Sequence, residues 1–467
     1  MAALVLPWLL VAPLAGLVAI AALRERPVVQ AWITVVMSAI SLLLSVALWA
    51  TPDVPYMAGG HPLPYGIPLR ADGLSRVMLT LTGGVFTIAS LYHLGQTRQG
   101  AKATANPYYH LTFPMLLLGL NGAFLAADCF NFYVFFELVA VSSYLLVSLG
   151  KHLPLEAAWK YSIQSVAGSI CLLIGVALLY GETGSLAMSE VATRLMGPAY
   201  WVMPFFLVAF LLKGAIFPFH FWQPDAHAAA TTAGSTLLAG LLIKLGMYGV
   251  LRFWPLLMGS APRDLLVWLG AVSIVFGAWA AFRQADAKRL LGFSSVSQLG
   301  FVLLAFGLGD AGAALFFLVS HSLAKSALFL ATGAITDRAG TTQLAELEGA
   351  GTGLPWASAA YMVGMISPVG LPPTAGFGAK LGVVQAGAGA AAWGWVALAA
   401  VGSLMTLGYL GPAYQRLFWG EPRPLPGRAH RLGLAATVGA AGLVLTVGLV
   451  GGPIWVACQL GAAGGLP

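Results

Sequence analysis

The sequence predicts an all-α integral membrane protein with about 14 transmembrane helices, for three reasons. First, 59% of the 467 residues are hydrophobic and only 8% are charged, with a mean hydropathy of +0.85, whereas a water-soluble domain has about 25% charged residues. Second, the chain contains fourteen apolar runs close to the roughly 20 residues that a membrane span needs. Third, the longest polar gap, at about 51–73, is too short for a large soluble domain.

The predicted spans follow one another with only short polar loops between them. The first span has neither a basic start nor a clear small-residue cleavage site, so we expect it to stay as a helix rather than to be removed as a signal peptide. In chain order the spans lie at about 3–23, 28–50, 74–94, 108–126, 129–149, 157–180, 201–221, 229–251, 264–282, 287–307, 312–335, 355–384, 391–416 and 432–457.

Two of these spans are interrupted by proline. Pro218 breaks the seventh span, 110 residues after the start of the fourth, and Pro372 breaks the twelfth, 108 residues after the start of the ninth. The two breaks therefore hold the same place in two consecutive blocks of five helices. Because five is odd, the second block enters the membrane from the opposite side, as in inverted repeats whose discontinuous helices mark a transport site. The alternative is that these prolines only kink their helices, since proline is common in membrane helices.

This pattern divides the chain into four parts. We predict an N-terminal three-helix segment (1–107), a first five-helix repeat (108–251), an inverted second repeat (264–418) and a C-terminal helix (419–467).

The positive charges predict the orientation. Of the 23 Lys and Arg residues, thirteen lie in loops after odd-numbered spans and five in loops after even-numbered spans. The positive-inside rule then places the odd loops in the cytoplasm and both termini on the non-cytoplasmic side of the cell (inner) membrane. The sequence has no stripe of basic residues that would indicate nucleic-acid binding. The thirteen are Arg24, Arg26, Arg98, Lys102, Lys151, Arg283, Lys288, Arg289, Arg338, Arg416, Arg423, Arg428 and Arg431, and the five are Arg70, Arg76, Arg194, Arg252 and Arg263.

The remaining five basic residues lie inside predicted spans, and all five are lysine. A charge at the centre of a span costs about 2.5–3.5 kcal/mol on insertion scales. Arginine stays protonated, whereas a desolvated lysine can release its proton near physiological pH, so the choice of lysine predicts a proton pathway. Structural salt bridges are the alternative, together with snorkelling of the two lysines near helix ends, Lys160 and Lys213. The five are Lys160, Lys213, Lys244, Lys325 and Lys380.

Acidic residues accompany these lysines. Glu137 is the one carboxylate well inside a predicted span, and an unpaired carboxylate there is costly, so we expect it to face a lysine. Asp128 opens the same helix and is either a pathway member or a simple N-cap. Glu156 and Lys160 are four residues apart and share a helix face, which fits either proton conduction or a helix-stabilising bridge.

Histidines complete the candidate set. His321 and Lys325 are four residues apart in an apolar span, and two titratable groups one turn apart indicate a relay. His220 and His227 lie near the first break, where relay, ligand, cap and interface roles are all open. No metal-binding spacing such as HExxH is present.

No cofactor is expected. The chain has no nucleotide-binding loop, flavin motif or cluster-ligand spacing, and Cys129, Cys171 and Cys458 are far apart. If redox energy drives this protein, other subunits supply it, so we do not expect the chain to be an enzyme on its own.

Several motifs together resemble those of a known family. They are "FYVFFELVAVSSYLL", "EAAWKY", "LKGAIFPFHFWQPDAH", "STLLAGLLIKLGMYGV", "KRLLGFSSVSQLGFVLLA", "SHSLAKSALFLATGAI" and "GLPPTAGFGAK", and they cover spans four to thirteen almost without gaps. The sequence resembles the antiporter-like subunits shared by respiratory complex I, membrane-bound hydrogenases and Mrp-type cation/proton antiporters. The segments "GGHPLPYGIPLRADGLSRVML" and "YGETGSLAM" look most like the Mrp D-type subunit.

The resemblance implies roles for the charged residues. It makes Glu137 the partner of Lys213, Lys244 the central relay lysine, and Lys380 the terminal lysine at the second break. His321 and Lys325 would link the two halves. The sequence departs from the family at "HAAATTAGSTLL", where a proline is usual after the alanines.

The expected function is that of a subunit of a multisubunit monovalent cation/proton antiporter, with Na⁺ as the expected cation. Other membrane subunits, the lipid bilayer, protons and Na⁺ are its expected partners. The alternatives are a proton-translocating subunit of an NADH:quinone oxidoreductase or membrane-bound hydrogenase, or a partner that supplies proton force for inorganic carbon uptake. A structural subunit that has lost transport is disfavoured because the charged residues are all present.

Overall fold

The computed structural model describes residues 2–53, 55–63, 65–150, 154–423, 425–426 and 430–464. The described chain is helical apart from one short β-hairpin, β1 (Tyr56–Ala58) paired antiparallel with β2 (Ile67–Leu69). Eleven helices in these residues are long and apolar enough to cross a membrane. The predicted all-α membrane class is confirmed, while the exact number of spans stays a prediction.

The helices follow the predicted spans closely. They are α1 (Ala2–Ala22), α2 (Pro27–Ala47), α3 (Gly73–Arg98), α4 (Pro107–Leu125), α5 (Cys129–Ser148), α6 (Pro154–Thr183), α7 (Met188–Arg194), α8 (Met203–Lys213), α9 (Trp222–Ala229), α10 (Thr232–Leu237), α11 (Ile243–Met258), α12 (Asp264–Phe282), α13 (Ala287–Gly307), α14 (Ala311–Ala339), α15 (Pro355–Val369), α16 (Ala375–Gly389), α17 (Trp393–Phe418), α18 (Arg431–Leu449) and α19 (Gly451–Gly464). A π-helical segment, Leu238–Leu242, joins α10 to α11.

Both predicted breaks are present. The chain leaves the helix between Lys213 and Trp222, and again between Val369 and Ala375. Proline lacks the N–H that would continue the helical hydrogen bonds, so a carbonyl before each break needs another donor. At the first break the indole Nε1 of Trp222 donates to the Leu212 carbonyl at 2.9 Å.

The two predicted repeats have the same backbone pairing at the start of their second helices. At α5, the Cys129 amide donates to the Leu186 carbonyl, 2.8 Å away. At α13, the Ala287 amide donates to the Thr342 carbonyl, also at 2.8 Å. The matched pairing supports the proposed inverted repeat because α5 and α13 hold the same place in the two predicted blocks.

The N-termini of the same two helices, α5 and α13, have matching N-cap residues. Asp128 and Asp286 are the N-caps of α5 and α13, and each accepts a backbone N–H three residues later at 2.8 and 2.9 Å. Such caps satisfy amides that a helix start leaves without an intrahelical partner. The predicted domain boundaries themselves stay a prediction.

The structure differs from the predicted spans near the C-terminus and at two loops. The span predicted at 432–457 is split at Val450 into α18 and α19. Glycine, glycine and proline follow at 451–453, and these residues weaken a helix without interrupting the apolar run. The hairpin and the short helix α7 were not predicted. Lys151 and Arg428, which entered the loop count, lie outside the described residues.

Two helical segments are enclosed by the rest of the protein. The first is Thr232–Met258, which contains α10, the π-helical segment and α11, and the second is α14. In each, the apolar stretch of 18 residues is entirely buried. α14 packs against α3, α10, α13, α15, α16 and α18. Lys244 on the first segment and Lys325 on α14 are therefore held away from lipid, inside the protein.

Candidate functional site

Lys213 occupies the end of α8, directly before the first break, and is 2% exposed. Its Nζ donates a hydrogen bond to the hydroxyl of Tyr161, 3.3 Å away. The same Nζ lies 5.3 Å from the ring centroid of Phe136 and 5.5 Å from that of Tyr161, within cation–π distance. The ammonium is therefore held by a hydroxyl and two ring faces.

Glu137 lies half-buried on α5, near enough for its charge to act on Lys213. In the described part of the chain, no ion pair joins the two side chains. The partnership that the sequence implied is therefore an interaction at a distance, because the Phe136 and Tyr161 rings and the Tyr161 hydroxyl take the contact positions around the ammonium.

Lys244 is fully buried at the start of α11, immediately after the π-helical segment. Its Nζ donates to the backbone carbonyl of Ala239 within that segment. The Ser322 hydroxyl on α14 donates to the neighbouring Gly240 carbonyl. Because the wider turn of a π-helix displaces backbone carbonyls, it gives the lysine and α14 their acceptors, and such segments are frequent at functional sites.

His321 and Lys325 lie one turn apart on α14, 2% and 0% exposed. Lys325 Nζ donates to the Leu291 carbonyl of α13 at 2.9 Å. Both ring nitrogens of His321 lack a hydrogen-bond partner among the described residues. The charges of Lys244, Lys325 and Lys380 all act on His321, so the ring lies among lysines from both predicted halves.

Lys380 lies on α16, after the second break, and is 9% exposed. Its Nζ is 3.0 Å from the ring centroid of Phe301 and 5.6 Å from that of Phe317. Within the described chain this Nζ has no hydrogen-bond partner. Like Lys213, Lys380 therefore presents its ammonium to aromatic faces beside a broken helix.

The matches with known proteins agree with this geometry. A family model described as "NADH:quinone oxidoreductase/Mrp antiporter, TM" matches residues 126–406, more than half of the chain. The chain belongs to this family. The family predicted from the sequence motifs is confirmed.

Its relatives in the family come from two kinds of complex. The D-type subunit of the Na(+)/H(+) antiporter of Alkalihalophilus pseudofirmus is 31% identical over 444 residues, which cover 92% of this chain and 89% of that protein. The M-type subunit of the NADH-quinone oxidoreductase of Escherichia coli K12 is 32% identical over 411 residues, 80% of this chain and 79% of that protein. A chain in the structure of the Mrp complex from Dietzia sp. DQ12-45-1b has a TM-score of 0.89 and 25% identity, covering 99% of this chain and 97% of that chain.

Two further buried side chains of this antiporter-family protein, His227 and Lys288, lie near Lys244 and Lys325. The latter two lysines, together with Lys213, His321, Lys380 and the half-buried Glu137, are called the buried row below. His227 on α9 is fully buried and stacks on Phe329 of α14, with ring centroids 4.6 Å apart. The charges of Lys244, Lys288 and Lys325 act on it. Lys288, 2% exposed, donates to the Ala230 carbonyl at 2.8 Å.

From the sequence, the role of His227 was open and Lys288 was predicted to be a loop residue. The sequence signal that could have identified Lys288 as buried is its spacing of three residues to the apolar Leu291 on the same helix. In the structure the Leu291 carbonyl accepts the hydrogen bond from Lys325. Three residues apart on α13, the two positions share a face that points into the protein.

Glu156 and Lys160 lie outside the buried row. Their ion pair is 2.7 Å long, and the side chains are 59% and 51% exposed. Lys160 also lies 3.5 Å from Asp225, which pairs with Arg289 of α13. These groups line a cavity of about 530 Å³ at the end of the bundle predicted to be cytoplasmic. The geometry favours a bridge between α6, α9 and α13 over a place in the relay.

Asp128 and His220 are also separate from the lysines. Asp128 is the N-cap of α5, which was one of the two roles predicted for it. Burial raises the pKa of its carboxyl. His220 is 2% exposed inside the first break, with its ring 5.7 Å from that of Phe217 and 4.7 Å from that of Phe276. Among the described residues there is no group of His, Cys, Asp or Glu side chains suited to a metal ion.

Arg252 corrects one expectation from the sequence. We expected no arginine within a span, but Arg252 lies inside α11, 7% exposed and paired with Asp72. The predicted span ended at residue 251, whereas α11 continues to Met258 and Arg252 is paired with a carboxylate, as buried charges usually are.

Proposed function

We propose that this chain is the proton-conducting subunit of a multisubunit monovalent cation/proton antiporter. Protons pass along a buried row in exchange for Na⁺. The observation that carries the proposal is the position of His321, whose two ring nitrogens have no hydrogen-bond partner in the part of the chain that the structure describes and which lies among lysines of both predicted halves. The row consists of Glu137, Lys213, Lys244, His321, Lys325 and Lys380.

The chemistry of each group suits proton transfer. A lysine ammonium can donate a proton to a neutral amine or imidazole, directly or through water, and then accept the next one. Charges in a low-dielectric interior repel more strongly than in water, so a proton arriving at one lysine pushes the proton on its neighbour forward. Arginine at the same place would hold its proton.

The two broken helices supply access at the ends of the row. Lys213 precedes the first break and Lys380 follows the second. Irregular backbone at membrane depth is tolerated where it lines a water-filled cavity, and discontinuous helices mark ion sites in transporters with inverted repeats. Water at these breaks would connect the row to opposite sides of the membrane.

Glu137 supplies negative charge at one end. Its carboxylate acts on Lys213 without contacting it, so the lysine stays free to release its proton. A direct salt bridge would hold the ammonium more tightly, as an opposite charge in contact does.

A second candidate is a proton-translocating membrane subunit of an NADH:quinone oxidoreductase. The similarity to the M-type subunit of the Escherichia coli enzyme, 32% identical over 411 residues, favours it. Both candidates use the same proton row, and they differ in the partner subunits. We further propose that the complex resides in the cell membrane with both termini of this chain outside the cytoplasm, as the loop charges predict.

One experiment separates the candidates. The complex is purified from its own membranes without crosslinker, its subunits are identified, and everted vesicles are assayed for proton movement on addition of Na⁺. Antiporter subunits together with Na⁺-dependent flux support the first proposal. Hydrophilic NADH-oxidising subunits and no Na⁺ response would replace it with the second.

A further inference from the structure

Lys244, Tyr248 and Arg252 lie on one face of α11. They are spaced four residues apart, which places side chains one above another along a helix. Lys244 points back toward the π-helical segment, since its Nζ donates to Ala239. Arg252 lies two turns further on, toward the end of α11 that is predicted to face outward.

Arg252 is fixed by a dense set of hydrogen bonds. Its Nη2 donates to Asp72 Oδ1 at 2.9 Å and to Ser75 Oγ at 3.0 Å, and its Nη1 donates to Asp72 Oδ2. The Tyr248 hydroxyl accepts from Nη2 at 2.9 Å and donates to the Phe124 carbonyl at 3.1 Å. Asp72 is 1% exposed and Arg252 7% exposed, so this guanidinium–carboxylate pair is buried.

A cavity begins directly beyond the pair. It has a volume of about 200 Å³ and is lined by both members of the pair and by Asp53, Arg70 and Met188. Arg70 and Asp53 form a second ion pair at 3.0 Å, with both side chains one-third exposed. The Arg252–Asp72 pair therefore lies between a cavity lined by charged side chains, on the predicted outer side, and the part of α11 that carries Lys244.

This arrangement matters to a proton pathway, because Tyr248 and Arg252 follow Lys244 on one face of α11 and Asp72, bound to Arg252, lines that cavity. A lysine, a tyrosine hydroxyl and a carboxylate in sequence could pass protons out of the row. The guanidinium is the one member of this series that stays protonated at any working pH. Fixed arginine charge is a known means by which membrane pores exclude protons and cations.

We propose that the Arg252–Asp72 pair is a proton barrier that closes the outer end of α11. The inference rests on the proposed function, since it assumes that Lys244 handles protons. Arg252 donates to Tyr248, the residue between it and Lys244 on this face of α11, and Asp72 holds the guanidinium through both carboxylate oxygens. Protons on Lys244 are thereby directed to His321 and Lys325 in the second half. Arg252 is a positioning and barrier residue and does not carry protons itself.

The test measures passive proton permeability of vesicles that contain the whole complex, without Na⁺. A pH gradient is imposed, and its decay is followed with a fluorescent dye. Arg252→Gln is expected to speed the decay several-fold, and adding Lys244→Leu is expected to restore it to the wild-type rate. Arg252→Lys keeps the pair with Asp72 but can release a proton, so it should also leak, by a smaller factor.

The matched control is Arg70→Gln. Arg70 lines the same cavity but belongs to the one-third exposed pair with Asp53, so its loss should leave the decay unchanged. If Arg252→Gln assembles poorly, Arg252→Lys decides. If an assembled Arg252 variant shows the wild-type decay rate, the barrier proposal is wrong. It is also wrong if the faster decay of Arg252→Gln persists when Lys244→Leu is added. Failure of the proposed function is seen separately, as absence of Na⁺-dependent proton flux in the unsubstituted complex.

Discussion

Lys325 Nζ donates its hydrogen bond to the Leu291 backbone carbonyl, 2.9 Å away on α13. The ammonium at the centre of the protein is therefore bound to a neutral acceptor, with its neighbour His321 one turn earlier on α14. A neutral acceptor holds a proton less tightly than a carboxylate would. This contact is the local basis for treating Lys325 as a proton carrier.

His321 and Lys325 should act as one unit. Removing either side chain breaks the same link, so His321→Ala, Lys325→Ala and the double variant are expected to lose similar fractions of the proton flux. A double-mutant cycle on transport rate measures this coupling. Strictly additive losses would show that the two residues act independently.

Glu137 should be essential for flux but not for insertion. Glu137→Ala is expected to abolish Na⁺-dependent proton flux in everted vesicles, because no negative charge then acts on Lys213. Glu137→Asp keeps the negative charge on a side chain one methylene shorter and should retain part of the activity. Immunoblots of the membranes control for the amount of protein. Full activity in the alanine variant would remove Glu137 from the mechanism.

The buried ion pair should matter far more to stability than the exposed one. Asp72→Ala leaves Arg252 buried without its carboxylate, and breaking a buried pair typically costs about 3–5 kcal/mol. The matched change Asp53→Ala, in the one-third exposed pair with Arg70, should cost about 1 kcal/mol or less. Thermal unfolding of the purified complex in detergent compares the two, and equal losses would contradict the burial argument.

The loop after α17 should face the cytoplasm. Glu421 is exposed there, so Glu421→Cys, in a background lacking the three native cysteines, should react with a membrane-impermeant maleimide in everted vesicles. Intact cells should leave it unlabelled. The opposite labelling pattern would reverse the predicted topology and show that the positive-inside count had misled the assignment.

Much of the fold was readable from the sequence because a bilayer imposes simple rules. Apolar runs gave nearly every helix, and the prolines at 218 and 372 marked both breaks. The features that the sequence did not predict are local ones. Apolar composition cannot show that α18 ends before Gly451, and the hairpin at 56–69 depends on turns within a short polar loop.

The candidate site was only partly readable. Lys213, Lys244, Lys325 and Lys380 stood out because charge is rare in spans, and all four are buried. Arg252 and Lys288 were missed because they lie at the ends of the predicted spans, where sequence cannot distinguish a loop charge from a buried one. Their partners, Asp72 and the Ala230 carbonyl, come from distant parts of the chain.

The central claim is that a buried lysine releases a proton during transport, and Lys325→Arg tests it most directly. Arginine keeps the positive charge and can still donate to the Leu291 carbonyl, but it does not release its proton at working pH. The measurement is the initial rate of Na⁺-dependent proton flux in everted vesicles, divided by the amount of assembled complex. We predict normal assembly with flux reduced to background. Near-normal flux with Lys325→Arg would contradict the account and make Lys325 a structural charge.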